Sequence, residues 1–293
     1  MRMRGPALAA TLAVGLALAG CATPADAPTS TQRSATTEVP VSQTPAQSTT
    51  TPTTPTPTPT RATPTERSEP SLVGDTANAW AFTPVDDPGA VVLEGSVTRQ
   101  RAWSTSKVLV AAAFLEDVVD GDPTRLDEQQ RAWVARALSE SDMDSLLAMR
   151  RAISGDRGER MTAILRSVGD ERTIAPADRE GTMEWRVEDQ VLFMAALARG
   201  EVVSPATSAY LIAAMQPVES QSWGLGGVGA AAVKGGWLTP TTETRQMGLL
   251  DGYAVAVISD AVGPAVLQSD GDDAHVEQLD RLAAMLAERL GAG

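Results

Sequence analysis

Ser104 and Lys107 stand three residues apart in Ser104-Thr105-Ser106-Lys107, just before the apolar run Val108-Leu109-Val110-Ala111-Ala112-Ala113-Phe114-Leu115. At the mouth of a buried helix, that spacing puts both side chains on one face, one turn apart. The serine then lies near the positive end of the helix dipole, which favours an alkoxide. A lysine amine so placed can take the serine's proton once desolvation lowers its pKa. Lysine usage points the same way. Of 24 basic residues, only Lys107 and Lys234 are lysines. The rest are Arg, which does not deprotonate in proteins and cannot serve as a base. A chain that spares Lys elsewhere and keeps it at these two places needs an amine there.

Composition excludes several other chemistries. The formal net charge is -13, and residues 76–293 carry all of the excess, with 19 Arg plus Lys against 32 Asp plus Glu. An acidic domain without a basic stripe argues against nucleic acid and against anionic lipid surfaces as partners. The single Cys cannot form an internal disulfide. The single His, His275, leaves no partner for a His-based metal site or a Ser-His-Asp triad. It follows an acidic stretch and is expected to be an ordinary surface residue in a turn. No metal or cofactor is expected.

The elements that must position Ser104 and Lys107 follow in chain order. Residues 1–4 carry two positive charges, and residues 7–19 form an apolar segment too short to span a membrane as a mature helix. Residues 1–20 therefore read as a secretory signal. The segment ends in Leu18-Ala19-Gly20-Cys21. Residues 22–70 are dominated by Thr, Pro, Ser and Ala, with little to bury, and read as a disordered, proline-stiffened spacer.

The folded domain is expected over residues 71–293. Residues 77–84 and 89–97 read as strands joined by the turn-rich Val85-Asp86-Asp87-Pro88-Gly89. A helix is expected over residues 104–120, broken by Gly121-Asp122-Pro123. Helical patterns follow at 127–138, 142–153, 156–168, 187–199 and 204–215, with a loop at 169–183. Three strands are expected at 230–238, 244–250 and 253–259. Asp251-Gly252 is a strong two-residue hairpin signal. A final amphipathic helix covers 273–290, with Val276, Leu279, Leu282, Ala283, Leu286 and Leu290 on one face. The order implies an α/β (α+β) fold. One five-stranded antiparallel sheet is built from both ends of the chain and flanked by helices, with a helical insertion at about residues 121–228.

Ser-x-x-Lys alone is a weak motif, but two further pieces stand in the right order. Ser141-Asp142 sits at a break between helices, and Lys234-Gly235-Gly236 sits on a strand after the turn Gly224-Leu225-Gly226-Gly227. Together the three resemble the penicillin-recognising serine enzymes, namely class A β-lactamases, penicillin-binding proteins and D,D-peptidases, whose signature is Ser-x-x-Lys, Ser-Asp-Asn and Lys-Thr-Gly. The likeness covers roughly residues 77–290, and Arg245-Gln246-Met247-Gly248 agrees with it. It is nearest to actinobacterial β-lactamase-like lipoproteins. These carry a box like Trp103-Ser104-Thr105-Ser106-Lys107-Val108 and a box like Lys234-Gly235-Gly236-Trp237. Cys21 and the residues before it resemble a bacterial lipobox. That resemblance implies cleavage before Cys21, a diacylglyceryl group with acyl chains such as palmitate on its thiol, and an exported domain at the outer face of the cell membrane; the domain is expected to be a monomer.

The resemblance also implies roles. Ser104 would be the acylated nucleophile and Lys107 its proton acceptor. Ser141 would relay a proton to the leaving amine. Lys234 would supply positive charge to Ser141 and to a substrate carboxylate. The backbone N–H groups of Ser104 and Trp237 would form the oxyanion hole, with Gly235, Gly236, Trp237 and Met143 around the substrate. Departures from the pattern matter as much. Met143 stands where the family has Asn, and Gly235 where it has Thr or Ser. The loop at 169–183 lacks Glu-x-x-x-Asn, and Glu171, Glu180 and Glu184 are the nearby carboxylates. Efficient penicillin hydrolysis is therefore not expected. Three readings remain. The first is a serine hydrolase or acyltransferase of altered specificity. The second is a catalytically silent module that binds a peptidoglycan or other envelope ligand. The third is a structural lipoprotein. The two lysines favour the first, and the loss of Asn and Thr favours the second. Trp80, Trp133 and Trp185 are expected in the core or a cleft wall, and Trp237 beside Lys234 in the cleft.

Overall fold

A computed structural model describes residues 69–238, 241–262 and 274–291, which fall within the compact unit Pro64–Gly293. The expected signal, Cys21 and the spacer up to residue 68 lie outside the described residues. No described helix is long and apolar enough to cross a membrane.

Five strands, β1 Asn78–Pro84, β2 Val92–Gly95, β3 Ala232–Trp237, β4 Thr244–Leu250 and β5 Tyr253–Ser259, form one sheet in the order β2-β1-β5-β4-β3. Every pairing is antiparallel. The two ends of the chain meet where Asn78 pairs with Ser259 and Pro84 with Tyr253. Leu250 faces Tyr253 across Asp251 and Gly252, both at positive φ, as a tight hairpin with the twist of its strands requires. β2 is shorter than its sequence suggests. Residues 87–90 are taken up by a turn, and Gly95 at φ 76 turns the chain out of the sheet.

Among the described residues, seven helices complete the fold, α1 Ser106–Val119, α2 Glu128–Ser139, α3 Met143–Ala152, α4 Arg157–Ser167, α5 Val187–Ala198, α6 Pro205–Ala214 and α7 Ala274–Leu290. Their starts follow local chemistry. Asp127 and Gln130 form a reciprocal capping box on α2, while Asp142, Asp156 and Ser204 cap α3, α4 and α6. α1 is apolar all round and correspondingly buried from Val108 to Leu115. Each of its large aliphatic and aromatic side chains contributes about 1.5–3 kcal/mol by leaving water.

The sheet separates two cores because successive side chains point to opposite faces. Ala79, Ala81, Ala254 and Ala256 face the helical side, where their small size lets the helices approach. Trp80, Phe82, Val255 and Val257 face α7. His275 is not at the surface. It lies in the first turn of α7 at 2 % exposure, edge-on to Trp223 and beside Trp237. Its four-residue spacing from Leu279 puts it on the buried stripe shared with Leu279, Leu282 and Leu286. Trp80 and Trp185 are fully buried, and Trp133 is half-buried against Phe114.

Candidate active site

Ser104 does not sit in the α-helix proper. It occupies a 3-10 turn, Trp103–Thr105, that feeds directly into α1. The turn opens at Trp103 with φ 47, a costly conformation for a bulky residue. Three buried groups hold it. Thr105 Oγ1 donates to Ala102 O at 2.5 Å and accepts from Gln190 Nε2 at 2.8 Å. Ser106 Oγ donates to Trp103 O at 2.7 Å. The Arg245 guanidinium, fully buried under the turn, donates to the carbonyls of Gln100, Arg101 and Trp185 and to Gln190 Oε1 at 2.7–2.9 Å. Burial pushes the Arg245 pKa down to about 9, against the pull of Glu243, Glu184 and Glu188, so it stays charged at neutral pH.

β3 runs past the same turn. A Cβ at Gly236 would come within 2.8 Å of Ser104 N and 2.9 Å of Ala102 O, so only glycine allows this approach. Val233 N donates away from β4 to Met215 O. The period of two along a strand then puts the amides of Gly235 and Trp237 on the same outer edge, facing the cleft.

One turn into α1, Lys107 Nζ lies 2.6 Å from Ser104 Oγ and 3.5 Å from Ser141 Oγ. Lys234 Nζ reaches the same hydroxyl from β3 at 3.0 Å and donates to Gly235 O at 3.1 Å. Ser141 sits between α2 and α3 at φ 60, outside ordinary serine backbone space. The four expected site side chains thus form one connected line, Ser104–Lys107–Ser141–Lys234. Both amines are buried. Burial lowers the Lys107 pKa to about 8, partly opposed by the charges of Asp142 and Glu180. Burial, then the charge of Lys107, pushes Lys234 well below the usual lysine range. Two amines sharing one hydroxyl titrate as a coupled pair. The fixed positive charge expected at Lys234 is therefore weakened.

The cleft over Ser104 encloses about 290 Å³. Met143, Leu146 and Arg150 reach it from one face of α3, and Trp237 and Leu238 from the end of β3. Trp103 and the short turn Glu180–Thr182 close it. Gly235 lies under the Trp237 ring, which would come within 3.3 Å of a Cβ there, so the ring covers the space of a threonine side chain. The i, i+3, i+7 spacing of Met143, Leu146 and Arg150 is a helix-face signal that sequence reading did not use.

Of the three nearby glutamates, the structure brings only Glu180 to the cleft. Glu171 is exposed and pairs with Arg166 at 3.8 Å, and Glu184 accepts from Gln100 N at 2.9 Å. Glu180 is 2 % exposed, and its carboxyl is raised by burial against the pull of Arg150, whose Nε lies 2.8 Å away. Arg150 and Arg157 also pair with Asp178. Arg179, at φ 61, lines the cleft from its exposed rim. Among the described residues, no cluster of His, Cys, Asp and Glu could hold a metal.

No protein-family model and no curated protein matches the chain. Solved structures do. PBP-A aligns with 17 % identity and a TM-score of 0.57 over 76 % of this chain and 92 % of its own. A β-lactamase from Chitinophaga pinensis aligns with 16 % identity and a TM-score of 0.58 over 74 % and 94 %. A reconstructed ancestral class A β-lactamase of Gram-negative bacteria aligns with 21 % identity and a TM-score of 0.51 over 72 % and 94 %. The chain has the fold of these proteins. A variant of PBP-A is also among the matches, as an acyl-enzyme with penicillin G.

Proposed function

We propose that this chain is a cell-envelope serine hydrolase that forms an acyl-enzyme at Ser104 on an ester or amide and is not an efficient β-lactamase. The observation that carries the reading is Lys107 Nζ at 2.6 Å from Ser104 Oγ, in a site that lowers the amine's pKa to about 8. Buried lysines cost stability, and a structural remnant would have no use for two of them around one serine.

In this mechanism Lys107, once it has given up its own proton, takes the hydroxyl proton as Ser104 attacks the substrate carbonyl. The amides of Ser104 and Trp237 meet the developing oxyanion, where such donors are worth about 2.7–4 kcal/mol each. Ser141, 3.0 Å from Lys234 Nζ, passes a proton to the leaving group. Glu180, which lines the cleft buried and paired with Arg150, is the carboxylate that would activate a deacylating water. The acyl-enzyme of the PBP-A variant supports the chemistry by analogy of fold alone.

The same reading places the domain outside the cell, lipid-anchored through Cys21 and held off the membrane by the spacer as a monomer, with envelope peptides or small molecules within reach. Cys21→Ala should move the protein from the detergent phase to the aqueous phase on Triton X-114 partition. A protein that stays aqueous with Cys21 intact is not anchored this way.

A second reading, a silent module for a cell-wall or envelope ligand, is favoured by Met143 and Gly235, which remove two polar substrate contacts. Intact mass spectrometry separates the two. The chain is incubated with a fluorophosphonate and, separately, with a penicillin, beside Ser104→Ala. An adduct lost in Ser104→Ala supports the hydrolase. A folded protein that takes no adduct from a panel of serine-reactive probes is the silent module.

A further inference from the structure

Every cation at the depth of Ser104 is already engaged. Lys107 and Lys234 share Ser141, and Arg150 is tied to Glu180 and Asp178. Arg179 makes no ion pair among the described residues, but it stands in solvent at the rim. The lining of the space above Ser104 is mostly apolar, with Arg150, Arg179, Glu180 and Thr182 around its edge. Met143 is 54 % exposed and Leu238 47 %, from opposite walls, with Leu146, Trp103 and Trp237 between them. Large apolar groups left open on both sides of a nucleophile gain by being covered. The enclosed space is at the lower edge of the roughly 300–1,000 Å³ usual for small-molecule sites.

We propose that the substrate is a carboxylic ester with a small, uncharged, apolar acyl group. This inference rests on the acyl-enzyme reading and names its substrate class. An acyl carboxylate would have to lie against Met143 and Leu146 without a cation. An amide N–H set against Met143 and Leu146 would lose its hydrogen bond to water, whereas an ester carries no such donor. In the first step the Ser104 Oγ–carbonyl bond forms and the ester C–O bond breaks. The serine proton leaves on the alcohol through Lys107 and Ser141. Water then attacks the acyl-enzyme, giving its proton back to Ser104 Oγ, and the carboxylic acid departs.

The test uses the full chain with p-nitrophenyl acetate, butyrate, hexanoate and hemisuccinate and with butyryl p-nitroanilide, beside Ser104→Ala and fluorophosphonate labelling. Butyrate or hexanoate should exceed acetate in kcat/KM by about tenfold and hemisuccinate by more, with the anilide slower still. Met143→Asn, at an exposed position, should lower the butyrate-to-acetate ratio several-fold. Labelling at Ser104 with hemisuccinate or the anilide turned over as fast as butyrate overturns the ester proposal and leaves the hydrolase standing. No Ser104-dependent labelling or turnover overturns both.

Discussion

The floor and the walls of the cleft are built in opposite ways. The floor is over-determined. Ser104 rides on a turn held by Arg245, Gln190 and Thr105 and pressed by Gly236, all of it buried. The walls are single side chains in solvent, Met143, Leu238 and Arg179. Reaction geometry tolerates little displacement, so it is packed like a core. Recognition needs only a surface of the right character, and exposed positions supply it. Backbone strain occurs in both, since Trp103 and Ser141 on the floor and Arg179 on the wall all have positive φ.

The sharpest way to break this contrast is at Lys107. Lys107→Met keeps the length and removes the base. Ser104 acylation should fall about 10²–10⁴-fold, measured as the rate of fluorophosphonate labelling. Urea unfolding at pH 7 should show stability unchanged or raised, because a buried amine no longer has to be desolvated.

Arg245→Met should come next, costing about 3–5 kcal/mol in urea unfolding, since it strands buried carbonyls. Arg179→Met at the rim should stay within about 0.5 kcal/mol. Equal effects would erase the distinction between floor and wall. Gly236→Ala should cost about 1–3 kcal/mol and slow labelling, because its methyl displaces Ser104 from β3.

The smallest effect is in pH. Labelling should rise as pH passes about 8, where Lys107 loses its proton. The sign for stability follows from the same shift. Between about 8 and 10.5, the unfolded chain binds a proton at Lys107 that the folded chain does not, so stability rises with pH there. A labelling rate flat from pH 7 to 9 would remove Lys107 from the role of base.

The reacting line was legible in the sequence because it rests on residue types few positions can substitute. Two lysines, two serines and a glycine pair carried it, and the five-stranded antiparallel sheet followed from the order of elements. The walls were less legible. Leu146 and Arg150 were hidden in an ordinary amphipathic helix, and only their register with Met143 marks them. Glu180 reaches the cleft through the path of a loop, which periodicity does not encode. His275 was misplaced because the acidic run before it outweighed its four-residue spacing from Leu279. The 3-10 turn at Ser104 differs from a first α-turn by one hydrogen-bond register, which residue identity does not report.

β3 ends the sheet, and the site needs it to, because a sixth strand would cover the Trp237 amide. An open edge is also a template on which another molecule's strand can assemble. This one is a poor template. It is six residues long, the Val233 amide is occupied by Met215 O, and it is interrupted by two adjacent glycines with little preference for extended structure. The glycines that let the nucleophile close on the strand thus also make its open edge unfavourable for pairing with another strand.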